Sequence, residues 1–120
     1  VREWARTAAQ AADSKKASDP VILDLANLLT ITDAFVIVSG ANDRQVKAIA
    51  EEIEQQVKDS GGPSPIRVEG LDEARWVLID YSDFVVHVFL EEVRDFYNLE
   101  RLWGDAPRIK WDTTASAVNE

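Results

Sequence analysis

AFVIVSGANDRQVKAIAEEIEQQVKD, residues 34–59, decides the fold. Ala34 to Ser39 is a continuous apolar, β-branched run, the composition of a strand covered on both faces. Gly40 closes it, and Asn42 or Asp43 can accept the open amides of a following helix. In that helix Val46, Ile49, Ala50, Ile53 and Val57 fall at i, i+3, i+4, i+7 and i+11, a single apolar stripe. Lys47, Glu51, Glu54, Gln55 and Lys58 occupy the opposite side, and Gly61, Gly62 and Pro63 stop the helix. A strand that runs straight into an amphipathic helix must lay that helix across a sheet face.

Toward the N-terminus, Leu28 to Thr32 reads as a connecting turn and Val21 to Leu25 as a first strand. Ser18, Asp19 and Pro20 separate that strand from an Ala-rich helix over 1–16. The helix has Trp4, Ala5, Ala8, Ala9 and Ala12 on a shallow apolar face. Toward the C-terminus, Ile66 to Glu69, Arg75 to Asp80 and Phe84 to Phe89 are extended runs. The last two flank a hairpin loop, Tyr81-Ser82-Asp83. Pairing Asp80 with Phe84 sets His87 opposite Val77, on one face with Ile79 and Val85. Glu91 to Tyr97 and Leu99 to Trp103 are short helical pieces, ended by Gly104 and the exit Ala106-Pro107. The expected fold class is therefore α/β, a single layered domain over 1–110 whose mixed sheet of about five strands is packed by helices. The Thr-, Ser- and Ala-rich stretch at 111–120 is expected as a flexible tail.

Composition narrows the function. A chain of 120 residues, 46% hydrophobic and 29% charged, holds one core. No apolar run approaches the roughly 20 residues of a bilayer span. The absence of cysteine rules out disulfides, thiolate metal sites and a cysteine nucleophile, and one histidine rules out multi-histidine zinc. With no signal-like opening, the chain reads as cytoplasmic. The net charge of −9 disfavours direct, sequence-specific nucleic-acid binding. From Glu69 to Asp105, ten acidic residues face three arginines, and the same stretch holds seven of the ten aromatics. Those aromatics have two readings: core residues rimmed by solvated acids, or anchors of an acidic surface that attracts a basic protein.

Catalytic signatures are thin. Ser39-Gly40-Ala41-Asn42-Asp43 lies where a phosphate loop would, without the further glycines or the Gly-Lys-Ser/Thr of one. Asp80 and Asp83 could hold a divalent cation, as in a divergent metal-dependent nucleotidyltransferase. Their Asp-x-x-Asp spacing is not the Asp-x-Asp that such enzymes place after a Gly-Ser loop, and a turn aspartate bonding its own backbone is the ordinary explanation. His87 reads as a core or interface histidine, since no serine or carboxylate is tied to it by spacing. No cofactor and no metal are expected, and the chain reads as a non-enzyme.

AFVIVSG (34–40), RQV (44–46), VEG (68–70), WVLIDY (76–81), VHVF (86–89), RDFY (94–97) and LERLW (99–103) together resemble the ribosomal silencing factor (RsfS, iojap-like) family, collinearly from about Asp24 to Pro107. The resemblance implies a nucleotidyltransferase-like topology without its catalytic motif. It also implies a translation repressor that binds the large ribosomal subunit through its fourteenth ribosomal protein. Occupying that site sterically blocks joining of the small subunit when nutrients are short, and free members are homodimers. By the same resemblance the contact surface comprises Glu69, Gly70, Trp76, Asp80, Tyr81 and Asp83. In it Trp76 and Tyr81 act as anchors, and Glu69, Asp80 and Asp83 pair with Lys or Arg of the partner. Arg94, Tyr97, Glu100 and Trp103 support or join that surface. Ser82 stands where the family pattern has a glycine, so a positive φ there would be strained.

Overall fold

The computed structural model describes residues 2–112. In chain order the elements are α1 (Arg2–Ser14), β1 (Ser18–Asp24), β2 (Ala34–Gly40), α2 (Asp43–Asp59) and β3 (Arg67–Glu69). They continue with β4 (Trp76–Asp80), β5 (Phe84–Leu90), α3 (Glu91–Tyr97), α4 (Leu99–Leu102) and β6 (Arg108–Ile109). The strands form one mixed sheet in the order β3-β4-β5-β2-β1-β6. Only β2 and β5 pair in parallel; every other neighbouring pair is antiparallel. The helix α2 carries the chain from β2, in the middle of the sheet, to β3 at its edge, so its apolar stripe must cross β5 and β4. Val46, Ile49, Ala50, Ile53 and Val57 are all fully buried by that crossing. The Asn42 side chain caps the helix by accepting from the Gln45 amide at 2.9 Å.

The pleat sorts the sheet into two unlike faces. On one, Val36, Val38, Val77, Ile79, Phe84, Val86 and Val88 pack beneath α1 and α2. The buried alanines of α1, Ala5, Ala8, Ala9 and Ala12, let that helix lie close. On the other, Leu23, Ile37 and Phe89 form a smaller core with Val93 and Ala106, closed at one end only by α3, α4 and the segment after them. Among the described residues no helix covers the rest of this second face.

The expected mixed α/β sheet is present, with one strand more than the five expected and a different hairpin register. The sheet has six strands, because Arg108 and Ile109 pair with Leu23 and Ile22, and the Asp24 amide donates to the Pro107 carbonyl at 2.7 Å. Two residues behind a proline carry no alternation by which a strand is recognised. The hairpin register is shifted by one: Asp80 pairs with Val85 and Leu78 with His87. The Tyr81 amide donates to the Phe84 carbonyl (3.0 Å), which leaves only Ser82-Asp83 in the turn. A shift of one exchanges the faces, so His87 lies with Trp76, Leu78 and Asp80 rather than with Val77 and Ile79. The tail expected over 111–120 lies, from 113 onward, outside the described residues. Trp111 belongs to the domain: its indole donates to the Pro20 carbonyl at 2.7 Å, and its own carbonyl accepts from Gln10 Nε2 at 2.8 Å.

Candidate protein-docking face

The uncovered face of the sheet is built from alternate residues of β3, β4, β5 and β2. Glu69 stands beside Leu78, Arg67 beside Asp80, Leu78 beside His87 and Phe35 beside Val85. Phe35, Trp76, Leu78 and Val85 are each half-buried, an apolar surface left open where the opposite face is sealed. Aromatic rings line it in a continuous row. The Tyr97 ring lies 4.8 Å from that of Trp76, Trp76 4.8 Å from Phe89, His87 4.5 Å from Phe35, and Phe35 6.3 Å from Trp103. Tyr97, at the end of the row, is 51% exposed, and beyond it Phe96 (80%) and Leu102 (70%) project from α3 and α4 into solvent. A cleft of about 510 Å³ separates α3 from the start of β4, lined by Trp76, Phe96 and Tyr97 with Gly70 and Val93, and by two carboxylates, Glu73 and Glu92, beside one cation, Arg75. An exposed apolar patch of this kind, rimmed by polar residues, is the composition found at protein contacts.

The six residues expected at the contact divide. Trp76 is on the open face, its indole N–H donating to His87 Nδ1 at 3.0 Å. Glu69 is exposed on the same face. Gly70 bounds the cleft at φ +88°, and its Cα lies so near β4 that a Cβ would stand 2.1 Å from the Trp76 carbonyl oxygen. Asp80 is on the face, yet its carboxylate is already engaged: Oδ1 accepts from the Ser82 amide (2.8 Å) and Oδ2 from Arg67 Nε and Nη2 (3.2 Å each). Asp83 is exposed at the tip, its carbonyl accepting from the Asp33 amide at 2.8 Å. Ser82 adopts φ +74°, a strained geometry for a residue with a side chain.

Tyr81 is corrected outright. It is 4% exposed, stacked on Phe84 at 4.6 Å, and belongs to the core under the helices. Burial, with the Glu54 carboxylate nearby, pushes its hydroxyl up to about 12. It cannot serve as a surface anchor. Arg94 and Glu100 stand behind the face rather than on it. Arg94 is buried, bonding Glu100 (3.0 Å), the Ser18 and Asp19 carbonyls and the Ser39 hydroxyl, which ties α3 to β1 and β2. Tyr97 and Trp103 do join the open face. Phe35, Leu78 and Val85 are not among the expected contacts; alternation with Trp76 and Asp80 is the signal that finds Leu78, and the shifted hairpin register the one that finds Val85.

For metal chemistry, Asp80 is committed to Arg67 and Ser82. Among the described residues no group of three or more His, Asp or Glu stands close enough to hold a metal ion. No helix among them is long and apolar enough to cross a membrane.

The chain is a layered α/β domain with one sheet face sealed by helices and the other left open, lined by aromatic rings. Residues 1–120 match the family model described as "Ribosomal silencing factor during starvation". The ribosomal silencing factor RsfS of Bacillus subtilis is 50% identical over 107 residues, 89% of this chain and 90% of that one. A crystal structure of a Chromobacterium violaceum protein superposes with a TM-score of 0.82 at 36% identity, covering 87% of this chain and 86% of the other. One from Bacillus halodurans does so with a TM-score of 0.78 at 40% identity, covering 92% and 99%. The chain belongs to the ribosomal silencing factor family.

Proposed function

We propose that this chain acts without catalysis, as a cytoplasmic translation repressor. It binds the large ribosomal subunit through its fourteenth ribosomal protein and sterically blocks joining of the small subunit under nutrient limitation. The observation that supports this reading is the open sheet face. Trp76, Leu78, Phe35 and Val85 offer an apolar contact beside Glu69 and the acids of the cleft, in a region of net charge −7. Ribosomal proteins are basic, so charge steers the encounter while the half-buried rings supply the contact area. Among the expected contacts, Trp76 becomes the central anchor, Glu69 and Asp83 the exposed carboxylates, and Asp80 a turn-holder that presents them. Free of the ribosome, the same apolar face is where a second copy would bind, giving the homodimer.

The test is sedimentation of the purified chain with isolated large subunits at low and moderate salt, followed by addition of small subunits. Co-sedimentation with fewer joined ribosomes is expected. Trp76→Ala and Glu69→Lys, each checked by thermal melt, are expected to weaken it. Absence of association at either salt would overturn the reading, and so would unchanged binding by a folded Trp76→Ala.

A further inference from the structure

His87 is the one titratable side chain buried in the middle of the open face, 5% exposed, between the rings of Phe35 (4.5 Å) and Phe89 (6.1 Å). Its bonding is lopsided. Nδ1 accepts the indole N–H of Trp76 at 3.0 Å, which fixes the neutral ring as the tautomer protonated on Nε2. That Nε2 is buried with no hydrogen-bond partner. A histidine kept for its own packing would be better replaced by an apolar side chain, because an unmatched buried N–H is a cost. What the imidazole provides here is one thing an apolar ring cannot, an acceptor aimed at Trp76.

We propose that His87 is a positioning residue for docking: its Nδ1 holds the Trp76 indole in the orientation that presents the ring to the partner. This rests on the reading of the open face as the ribosome-binding surface. Without the acceptor, Trp76 keeps ring contacts with Phe89 (tilted 36°), Tyr97 (tilted 46°) and the ring at position 87 (6.0 Å), none of which fixes the direction of the N–H. Tyr97 is itself half-exposed. Burial lowers the imidazole to about 4, so the acceptor lone pair persists throughout the neutral range. The partner then meets a ring already ordered, and binding does not have to order it.

Four variants and one spectrum test this with purified large subunits as the probe. The Trp76 indole 15N–1H resonance, identified by its loss in Trp76→Phe, reports the bond directly. His87→Phe keeps a ring but removes the acceptor. It is expected to shift that resonance, speed its hydrogen exchange, and weaken large-subunit binding about tenfold, the scale of one lost hydrogen bond. His87→Asn, whose Oδ1 stands in for Nδ1, is expected to restore both readouts. Normal binding by a folded His87→Phe, while Trp76→Ala loses binding, would overturn the positioning role and leave the docking face intact. Normal binding by Trp76→Ala would overturn the docking face and the positioning role together. Should His87→Phe not fold, the tautomer in the unmodified chain decides: 15N shifts showing the proton on Nε2 support the proposal, and a proton on Nδ1 refutes it.

Discussion

Replacing Gly70 by alanine isolates how tightly the docking face is tied to the backbone beneath it. At φ +88° any Cβ is strained, worth about 1–2 kcal/mol. The added carbon would also stand 2.1 Å from the Trp76 carbonyl oxygen, 0.9 Å inside the 3.0 Å that side chains respect. That oxygen is main chain of β4, so the loop must retreat, at the expense of the Ala74 amide bond to the Gly70 carbonyl (2.9 Å), about 1 kcal/mol. The stiffer unfolded chain returns about 0.5–1 kcal/mol. The net loss is about 2 kcal/mol, and a fall in Tm of roughly 8 °C for a domain of this size. Gly61 is the control: φ is +84°, but nothing lies within 4 Å of its Cβ position. Gly61→Ala therefore keeps the dihedral cost alone and should lose about 1 kcal/mol or less. Differential scanning calorimetry of both variants separates the two contributions. Equal losses would refute the claim that Gly70 is required by close approach to Trp76, and only the Gly70 variant should also weaken large-subunit binding.

Ser82→Gly removes the φ +74° strain from the hairpin and should raise stability by about 0.5–1 kcal/mol, read as a Tm a few degrees higher; a lower Tm would mean that the serine side chain contributes a contact of its own. Tyr81→Phe deletes a buried hydroxyl without a partner and should be neutral or stabilising by about 1 kcal/mol, with binding unchanged. Tyr81→Ala empties the core against Phe84 and should lose about 3–5 kcal/mol by urea denaturation; a well-folded Tyr81→Ala that fails only in binding would return Tyr81 to the surface. His87 makes stability depend on pH: its folded value of about 4 lies below the ordinary 6.5, so between these values the unfolded chain binds more protons. Stability from this group is full above pH 6.5 and lost as pH falls toward 4, up to about 3 kcal/mol. His87→Asn should flatten that part of the profile, and a parallel profile for the variant would contradict the buried neutral imidazole.

How far the fold could be read from residues follows from what each element depends on. The helix α2 was legible because five apolar positions at helical spacing, a capping Asn42 and a Gly-Gly-Pro stop all point the same way. The strand β2 was legible because nothing but a covered strand accommodates so many β-branched residues in a row. By contrast β6 exists only because Ile22 and Leu23 offer an open edge beside it, a property of β1 and not of Arg108-Ile109. Trp111 likewise reads as tail until the Pro20 carbonyl comes within 2.7 Å of its indole. No spacing in the sequence marks Arg94 as buried; it becomes a tie through the carbonyls of Ser18 and Asp19, some 75 residues away in sequence.

The candidate site turns on a single residue of register. Motif resemblance gathers Glu69, Gly70, Trp76, Asp80, Tyr81 and Asp83 around one hairpin, but adjacency in sequence says nothing about which side of the sheet each one takes. Pairing Asp80 with Val85 sends Trp76, Leu78 and Asp80 to the open face, with Val77, Ile79 and Tyr81 on the side packed under the helices. Pairing Asp80 with Phe84 would have exchanged the partners of β5 and left His87 against the helices. The bond from the Tyr81 amide to the Phe84 carbonyl selects between them, and it requires a positive φ at Ser82. A glycine would adopt that geometry freely; here Asp80 Oδ1 holds the Ser82 amide at 2.8 Å and steadies the strained turn. Asp80 thus shapes the docking face chiefly through the turn, by fixing the register that exposes Trp76 and puts His87 beneath it. That separates its role from that of Glu69. Asp80→Asn, which keeps Oδ1 as an acceptor but drops the charge, should retain most binding, whereas Asp80→Ala should lose stability and binding together. If Asp80→Asn instead loses binding at full stability, the carboxylate meets the partner directly and the turn is secondary.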